Sequence, residues 1–299
     1  MRSAETKEGF APFRNYRTWY RVTGDLGARK APVVILHGGP GAAHNYVDAY
    51  KLLANQGRGV IHYDQLGCGN STLLPDKGAD FWTPELFITE LNNLIDTLGI
   101  RSRYHVLGQS WGGMLAAEFG ITRPSGLRSL VIANSPASME LWVSEANRLR
   151  CELPDDIRTT LERHESAATT NDPDYQAATM KFYERHVCRV TPFPPEVVET
   201  FDQIARNPTV YNTMNGPNEF YVIGTLRDWS VIDKVKAINV PTLLVSGRYD
   251  EATPAVVQPF ADNIKGARWV IFEQSSHMPH VEEKEACMET VGAFLDEND

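Results

Sequence analysis

The pentapeptide Gly108-Gln109-Ser110-Trp111-Gly112 constrains the fold of this chain more than any other feature. It fits G-x-S-x-G, a strand-to-helix turn so sharp that only small residues fit on either side of the serine. Such a turn exposes the hydroxyl at the N-terminus of the next helix, where the positive end of the dipole favours developing negative charge. Gly and Ser are also common in ordinary turns, so context decides. Residues 104–107 read as a strand entering the pentapeptide, and 114–121 as a buried helix leaving it. The competing reading, a glycine-rich turn without chemistry, loses on that context.

The same alternation runs through the first half of the chain. Residues 18–22, 32–36 and 59–63 read as strands, and 130–133 as another after the helix. Between 84 and 98, Phe87, Leu91, Leu94, Ile95 and Leu98 recur at helical spacing, with Gly99 as a stop. Strands alternating with helices predict an α/β fold with a mostly parallel sheet flanked by helices. After Pro136 the alternation lapses into helix-like, charged and aromatic sequence as far as about Trp229. Strand character returns at 241–246 and 268–272, and a final helix spans roughly 282–295. The economical division is a core of 1–136 and 233–299, with 137–232 as an inserted helical cap.

Acyl-transfer chemistry at Ser110 needs a base and an acid, in the chain order Ser, Asp/Glu, His. Asp250 follows the strand 241–246, and His277 follows the strand 268–272, so both fall at carboxyl ends of strands. An isolated Asp there is more often a turn former and an isolated His a bystander; order and placement together favour the triad Ser110, Asp250, His277. His280 competes with His277 on spacing. The run His37-Gly38-Gly39-Pro40-Gly41 follows the strand expected beside the elbow. Its lack of side chains lets the Gly39 N–H approach a substrate carbonyl, and with the Trp111 N–H it would make an oxyanion hole. A phosphate-cradling turn is the weaker reading, since neither G-x-G-x-x-G nor a P-loop Lys is present.

Composition excludes several classes. A formal charge of −9 with scattered Lys and Arg argues against nucleic acid as a partner. The stretch MRSAETKEGFAPF lacks the apolar run of a secretory signal, and no apolar run approaches a membrane span. The four cysteines are widely spaced without a CxxC pair, which predicts free thiols, no zinc site and a cytoplasmic location. No cofactor and no metal are expected for this chemistry.

HGGPG, the YDQxGxGxS pattern over residues 63–71, GxSWGG and the late Asp and His together resemble the proline iminopeptidase family of serine aminopeptidases. The resemblance spans nearly the whole chain and implies an α/β-hydrolase fold, a helical cap and removal of N-terminal residues from short peptides or amides. Leu66 stands where the family usually has Arg, and Gly108-Gln109-Ser110-Trp111-Gly112-Gly113 where it usually has GGSWGS. The chain looks closer to the branch of the tricorn-interacting aminopeptidase and bacterial L-amino-acid amidases, which accept a wider range of first residues. Residues 215–220 and the pair Asp250-Glu251 resemble that branch. By resemblance, Glu219 and Glu251 bind the α-amino group of the substrate, and Tyr211 lies near it. Asp64, Cys68 and Glu118 are read as structural.

The expected partner is thus a small peptide or amino-acid amide with a free amine. An esterase or lactonase with the same triad is the alternative, and two acids at the mouth would discriminate against it. A non-catalytic binding protein on this scaffold would normally have lost a triad residue. Epoxide hydrolases and dehalogenases place Asp where this chain has Ser110.

Overall fold

The computed structural model describes residues 5–299; the first four residues of the N-terminal stretch read above lie outside it. Its strands are β1 (Thr6–Phe13), β2 (Tyr16–Thr23), β3 (Val33–Leu36), β4 (Val60–Tyr63), β5 (Tyr104–Gln109), β6 (Leu127–Ala133), β7 (Thr242–Gly247) and β8 (Arg268–Phe272). They form one sheet in the order β1-β2-β4-β3-β5-β6-β7-β8. β2 pairs antiparallel with β1 and β4; every pairing from β4 across to β8 is parallel. The strands β3, β5 and β7 are buried along their whole length, as expected where helices cover both faces of a parallel sheet.

Alternation across β3 divides the core in two. Val34 and Leu36 join one apolar cluster, Val33 and Ile35 the other. Helices α1 (Pro84–Thr97) and α2 (Trp111–Ile121) cover the first face. Thr83 caps α1 by accepting the Leu86 N–H at 3.3 Å, Pro84 presets its first turn, and Phe87, Leu91, Leu94 and Ile95 form its buried stripe. The opposite face is covered by a long run of 3-10 turns, Asn45–Gln56, and by the C-terminal helix α10 (Lys284–Glu297), numbered after the elements below.

Between β6 and β7 lie α3 (Met139–Arg150), α4 (Asp155–Ser166), α5 (Pro173–His186), α6 (Pro195–Arg206) and α7 (Thr209–Met214). This segment leaves and returns through one neck: Met139 N–H donates to Trp229 O at 2.9 Å, and Val231 N–H donates to Ala137 O at 3.0 Å. Helix α8 (Pro254–Asn263) follows β7, and the short α9 (Pro279–Glu282) follows β8. Among the described residues, no helix is long and apolar enough to cross a membrane.

The loops that matter leave the carboxyl ends of β3, β4, β5, β7 and β8. In an open parallel sheet that edge is where ligand-binding loops converge.

Candidate active site

Ser110 occupies the turn between β5 and α2 with φ 57° and ψ −124°, a conformation that non-glycine residues rarely adopt. The surroundings dictate it. A Cβ on Gly108 would lie 1.9 Å from the Gly112 carbonyl oxygen, and one on Gly112 would lie 2.0 Å from that of Leu36. The first turn of α2 therefore rests directly on β3 and β5, and the serine is pushed out of the crossing. Its backbone is fixed on both sides: its N–H donates to Ala133 O at 2.9 Å, and its carbonyl accepts from Gly113 and Met114.

His277 follows β8 and Asp250 follows β7. The His277 Nδ1–H donates to Asp250 Oδ1 at 2.7 Å. That oxygen also accepts the Ala252 N–H at 2.8 Å, and Asn134 Nδ2 donates to the other at 2.6 Å. Burial works to lower the His277 pKa, but the Asp250 charge and hydrogen bond, with Glu219 beyond, raise it above the ordinary imidazole value. Glu282 holds the loop, accepting from Ser276 N–H at 2.8 Å and Met278 N–H at 3.2 Å. Ser110 and His277 line the same cavity. They are not hydrogen-bonded in this structure; ligand-free serine hydrolase sites are often loose at this contact.

His280, the competing histidine, turns away. Its Nε2–H donates to Tyr46 O at 3.0 Å and its ring stacks on Tyr50 at 5.0 Å. Burial lowers its pKa to about 3, so it stays neutral.

The His37–Gly41 loop is held at both peptides of Gly38. The Gly38 N–H donates to the Tyr46 hydroxyl at 2.6 Å. The Gly38 carbonyl accepts from His37 Nδ1 at 3.0 Å, while His37 Nε2 accepts the Gln65 N–H at 2.9 Å. That pair of bonds fixes the neutral Nδ1–H tautomer, and burial lowers the His37 pKa to about 4. In a trans peptide the N–H points opposite its carbonyl. Pinning Gly38 O therefore aims the Gly39 N–H the other way, and Gly39, at φ +108°, lines the cavity beside Ser110. Gln65 completes the arrangement: its Nε2 donates to His37 O and its Oε1 accepts from the Trp111 indole, at 2.9 and 2.8 Å.

Glu219 and Glu251 line the same cavity. Asn218 shapes the loop carrying Glu219, accepting the N–H groups of Phe220 and Tyr221, and the Trp142 indole donates to Glu219 O at 2.6 Å. The Tyr211 hydroxyl donates to Glu219 Oε1 at 2.5 Å. Glu251 is fully buried, and among the described residues neither of its carboxyl oxygens has a hydrogen-bond partner. Its Oε1 lies 3.8 Å from His277 Nε2. Burial, then repulsion from Glu219 and Asp250, raise its pKa well above the carboxylate range; burial also raises that of Glu219.

Asp64 accepts His44 N–H at 2.9 Å and Asn70 N–H at 2.8 Å, closing the turn after β4. Cys68 is buried, and Glu118 accepts the Trp229 indole at 3.0 Å. The roles of Gln65, His37, Tyr46 and Asn134 were not visible in the sequence, because each is defined by partners far along the chain. Among the described residues, one group has metal-ligand spacing: His164, Asp172 and Asp174, near the junction of α4 and α5 and outside the cavity.

The raised Glu251 pKa has a consequence for stability. A carboxyl whose pKa is higher folded than unfolded stabilises the fold fully below its unfolded value, about 4.3, and loses that contribution as pH rises. Glu251→Gln should therefore melt above the wild type at pH 8, by roughly 2–4 °C per kcal/mol relieved, with the gap closing toward pH 5. Parallel thermal melts across that range check it; coincident curves at every pH would contradict the electrostatic account.

A family model described as alpha/beta hydrolase fold matches residues 31–284. The proline iminopeptidase of Lactobacillus helveticus is 39% identical over 298 residues, covering 99% of both chains. That of Saccharolobus solfataricus is 38% identical, covering 99% of this chain and 94% of its own. Among solved structures, VinJ is 54% identical with a TM-score of 0.97, covering 98% of this chain and 99% of its own. The proline iminopeptidase of Mycobacterium smegmatis is 52% identical with a TM-score of 0.91, covering 98% of each. Full-length similarity at this level, on this fold, shows that the chain belongs to the proline iminopeptidase family of α/β-hydrolase enzymes.

Proposed function

We propose that this chain is a serine aminopeptidase that releases N-terminal residues, proline among them, from short peptides or amino-acid amides. The observation that carries the amine specificity is Glu251, fully buried and without a hydrogen-bond partner among the described residues, in the cavity that holds Ser110. A carboxylate so placed is costly unless a cation meets it. A substrate ammonium would supply the missing charge and donors. The secondary ammonium of proline offers two N–H groups, one for each of Glu219 and Glu251.

In this reading Ser110 attacks the scissile carbonyl and His277 takes its proton, with Asp250 orienting the imidazole and stabilising its charge. The N–H groups of Gly39 and Trp111 receive the oxyanion. His277 returns the proton to the leaving amine, and water then releases the acyl group. The leaving group must lie on the His277 side, where the larger cavity is lined by Val197, Phe201 and Ile204 of α6. A smaller cavity that touches Ser110 and Glu219, but neither His277 nor Glu251, adjoins it and receives the side chain of the released residue. The ammonium of that residue faces Glu219 and Glu251 in the larger one. The smaller cavity's lining of Pro136, Met139, Trp142 and Leu226 suits a compact apolar ring. Residues 137–232 serve as the cap that closes over both.

The test is a matched pair, an aminoacyl anilide and its N-acetyl form. Wild type should turn over the first far better, and Ser110→Ala should abolish turnover while remaining folded. Removing one partner of a desolvated charge pair costs about 3–5 kcal/mol, less if the site is partly wet. Glu219→Gln and Glu251→Gln should each lower kcat/KM for the free amine by roughly tenfold to a thousandfold, at about 1.4 kcal/mol per decade. The N-acetyl substrate should be little affected. Equal turnover of the two substrates by wild type would move the assignment to an esterase.

A second expectation concerns pH. His277 must be neutral to act as base, and its raised pKa places the acid limb of activity above the ordinary histidine value. Glu219 contributes to that rise, and a bound ammonium offsets its charge. The limb in kcat, which reports the substrate complex, should therefore fall at lower pH than the limb in kcat/KM, which reports the free enzyme. Coincident limbs on a free-amine substrate would refute the compensation.

A further inference from the structure

Gln109, the variable residue of the elbow, has no role in the chemistry described so far, yet it is completely buried and both ends of its amide are hydrogen-bonded. Its Nε2 donates to the backbone carbonyl of His277 at 2.8 Å. Its Oε1 accepts the hydroxyl proton of Tyr46, and that hydroxyl accepts the Gly38 N–H at 2.6 Å. One continuous chain thus runs from the His277 loop, through the residue preceding Ser110, to the first peptide of the loop that carries Gly39. His280, in α9 just past the His277 loop, holds Tyr46 a second time by donating to its carbonyl.

The polarity of this chain is fixed. The His277 carbonyl can only accept and the Gly38 N–H can only donate, so the groups between them need a donor at one end and an acceptor at the other. An amide followed by a phenol meets that requirement; a carboxylate or an apolar side chain at 109 does not. Position 38 also has no room for a side chain, since a Cβ there would lie 2.5 Å from the Tyr46 hydroxyl and 2.9 Å from Ser110 Cβ.

We infer that Gln109 is a positioning residue that sets the base loop and the oxyanion loop relative to Ser110 through its bonds to His277 O and Tyr46. This rests on the Ser110–His277 reading above. Gln109 touches no reacting atom; it acts by holding backbone at both ends. Displacing such groups by about an ångström is enough to cost up to a hundredfold in rate. Losing one oxyanion donor outright costs about a hundredfold to a thousandfold.

The test uses Gln109→Met, which conserves volume but removes both polar atoms, and Tyr46→Phe, which removes a single oxygen. Each should lower kcat roughly tenfold to a hundredfold on an aminoacyl anilide while leaving KM within about threefold, because the amine site is untouched. Fluorophosphonate labelling of Ser110 should slow in parallel in both variants. The double variant should be no worse than the poorer single one, since both break the same chain. Gln109→Glu, which puts an acceptor against the His277 carbonyl, should not restore the rate. Wild-type kcat in folded Gln109→Met or Tyr46→Phe overturns the proposal, as does simple multiplication of the two defects in the double variant. Failure of the wild type to label at Ser110 would instead remove the triad reading on which it stands.

Discussion

The close crossing of α2 over β3 and β5 is the constraint on which the site depends. Gly108 and Gly112 allow backbone to meet backbone there, at separations no side chain would permit. The turn joining the two elements cannot relax into an ordinary one, and Ser110 is left at positive φ, projecting into the cavity. Strain of this kind persists only where the surroundings over-determine it. Here they do, because β5 lies mid-sheet and α2 is buried on nearly every side. The same crossing brings Trp111 against Gln65, so the loops after β3, β4 and β5 become one hydrogen-bonded unit.

That unit is paired with a second made of Asp250, Asn134 and the His277 loop. Asp250 accepts three hydrogen bonds from three places in the chain, which leaves the imidazole one orientation. Glu282 then fixes the loop from below, and it also accepts the Arg189 N–H at 2.7 Å, a residue between α5 and α6. The Glu282 carboxylate therefore joins the loop carrying the base to a segment whose Val187 and Val197 line the cavity.

Much of this was legible in the sequence, and the limits have physical reasons. The parallel strands were readable because each contains a short apolar run, unbroken in Val33–Leu36 and interrupted by single polar residues such as His62 and His105 elsewhere. α2 was readable because it follows the elbow directly. The first strand, Thr6–Phe13, was not: it is an edge strand interrupted by Gly9 and Pro12, and its pairing with β2 sets its conformation. The stretch Asn45–Gln56 carried spaced apolar residues but folds as 3-10 turns, which composition does not distinguish from loop. Ser110, Asp250 and His277 stood out because their chemistry and strand-end placement coincide. Gln109, Gln65 and His37 fall inside the motifs, but their individual roles gave no signal. A buried amide is an ordinary residue until its partners are known, and those partners lie 28 to 168 positions away.

The acidic pair shows why a site can be selective at the expense of the fold. Asp250 accepts three hydrogen bonds and Glu219 has the Tyr211 hydroxyl, but Glu251 has no hydrogen-bond partner among the described residues. Filling its bonding capacity with neighbouring donors would have been structurally simple, and would have made the residue indifferent to what enters the cavity. Left unpaired, it gains most from a ligand that brings both positive charge and N–H groups. An N-acylated or oxygen-ended substrate brings neither the charge nor a full set of donors, and leaves a desolvated carboxyl unmatched. Sites that demand a polar partner discriminate by large factors for this reason, whereas apolar pockets discriminate weakly. The small apolar cavity beside Ser110 can therefore tune which side chain is preferred. On the function proposed above, the buried acids set the requirement for a free amine, and the hydrogen-bonded loops around them keep Glu251 in place.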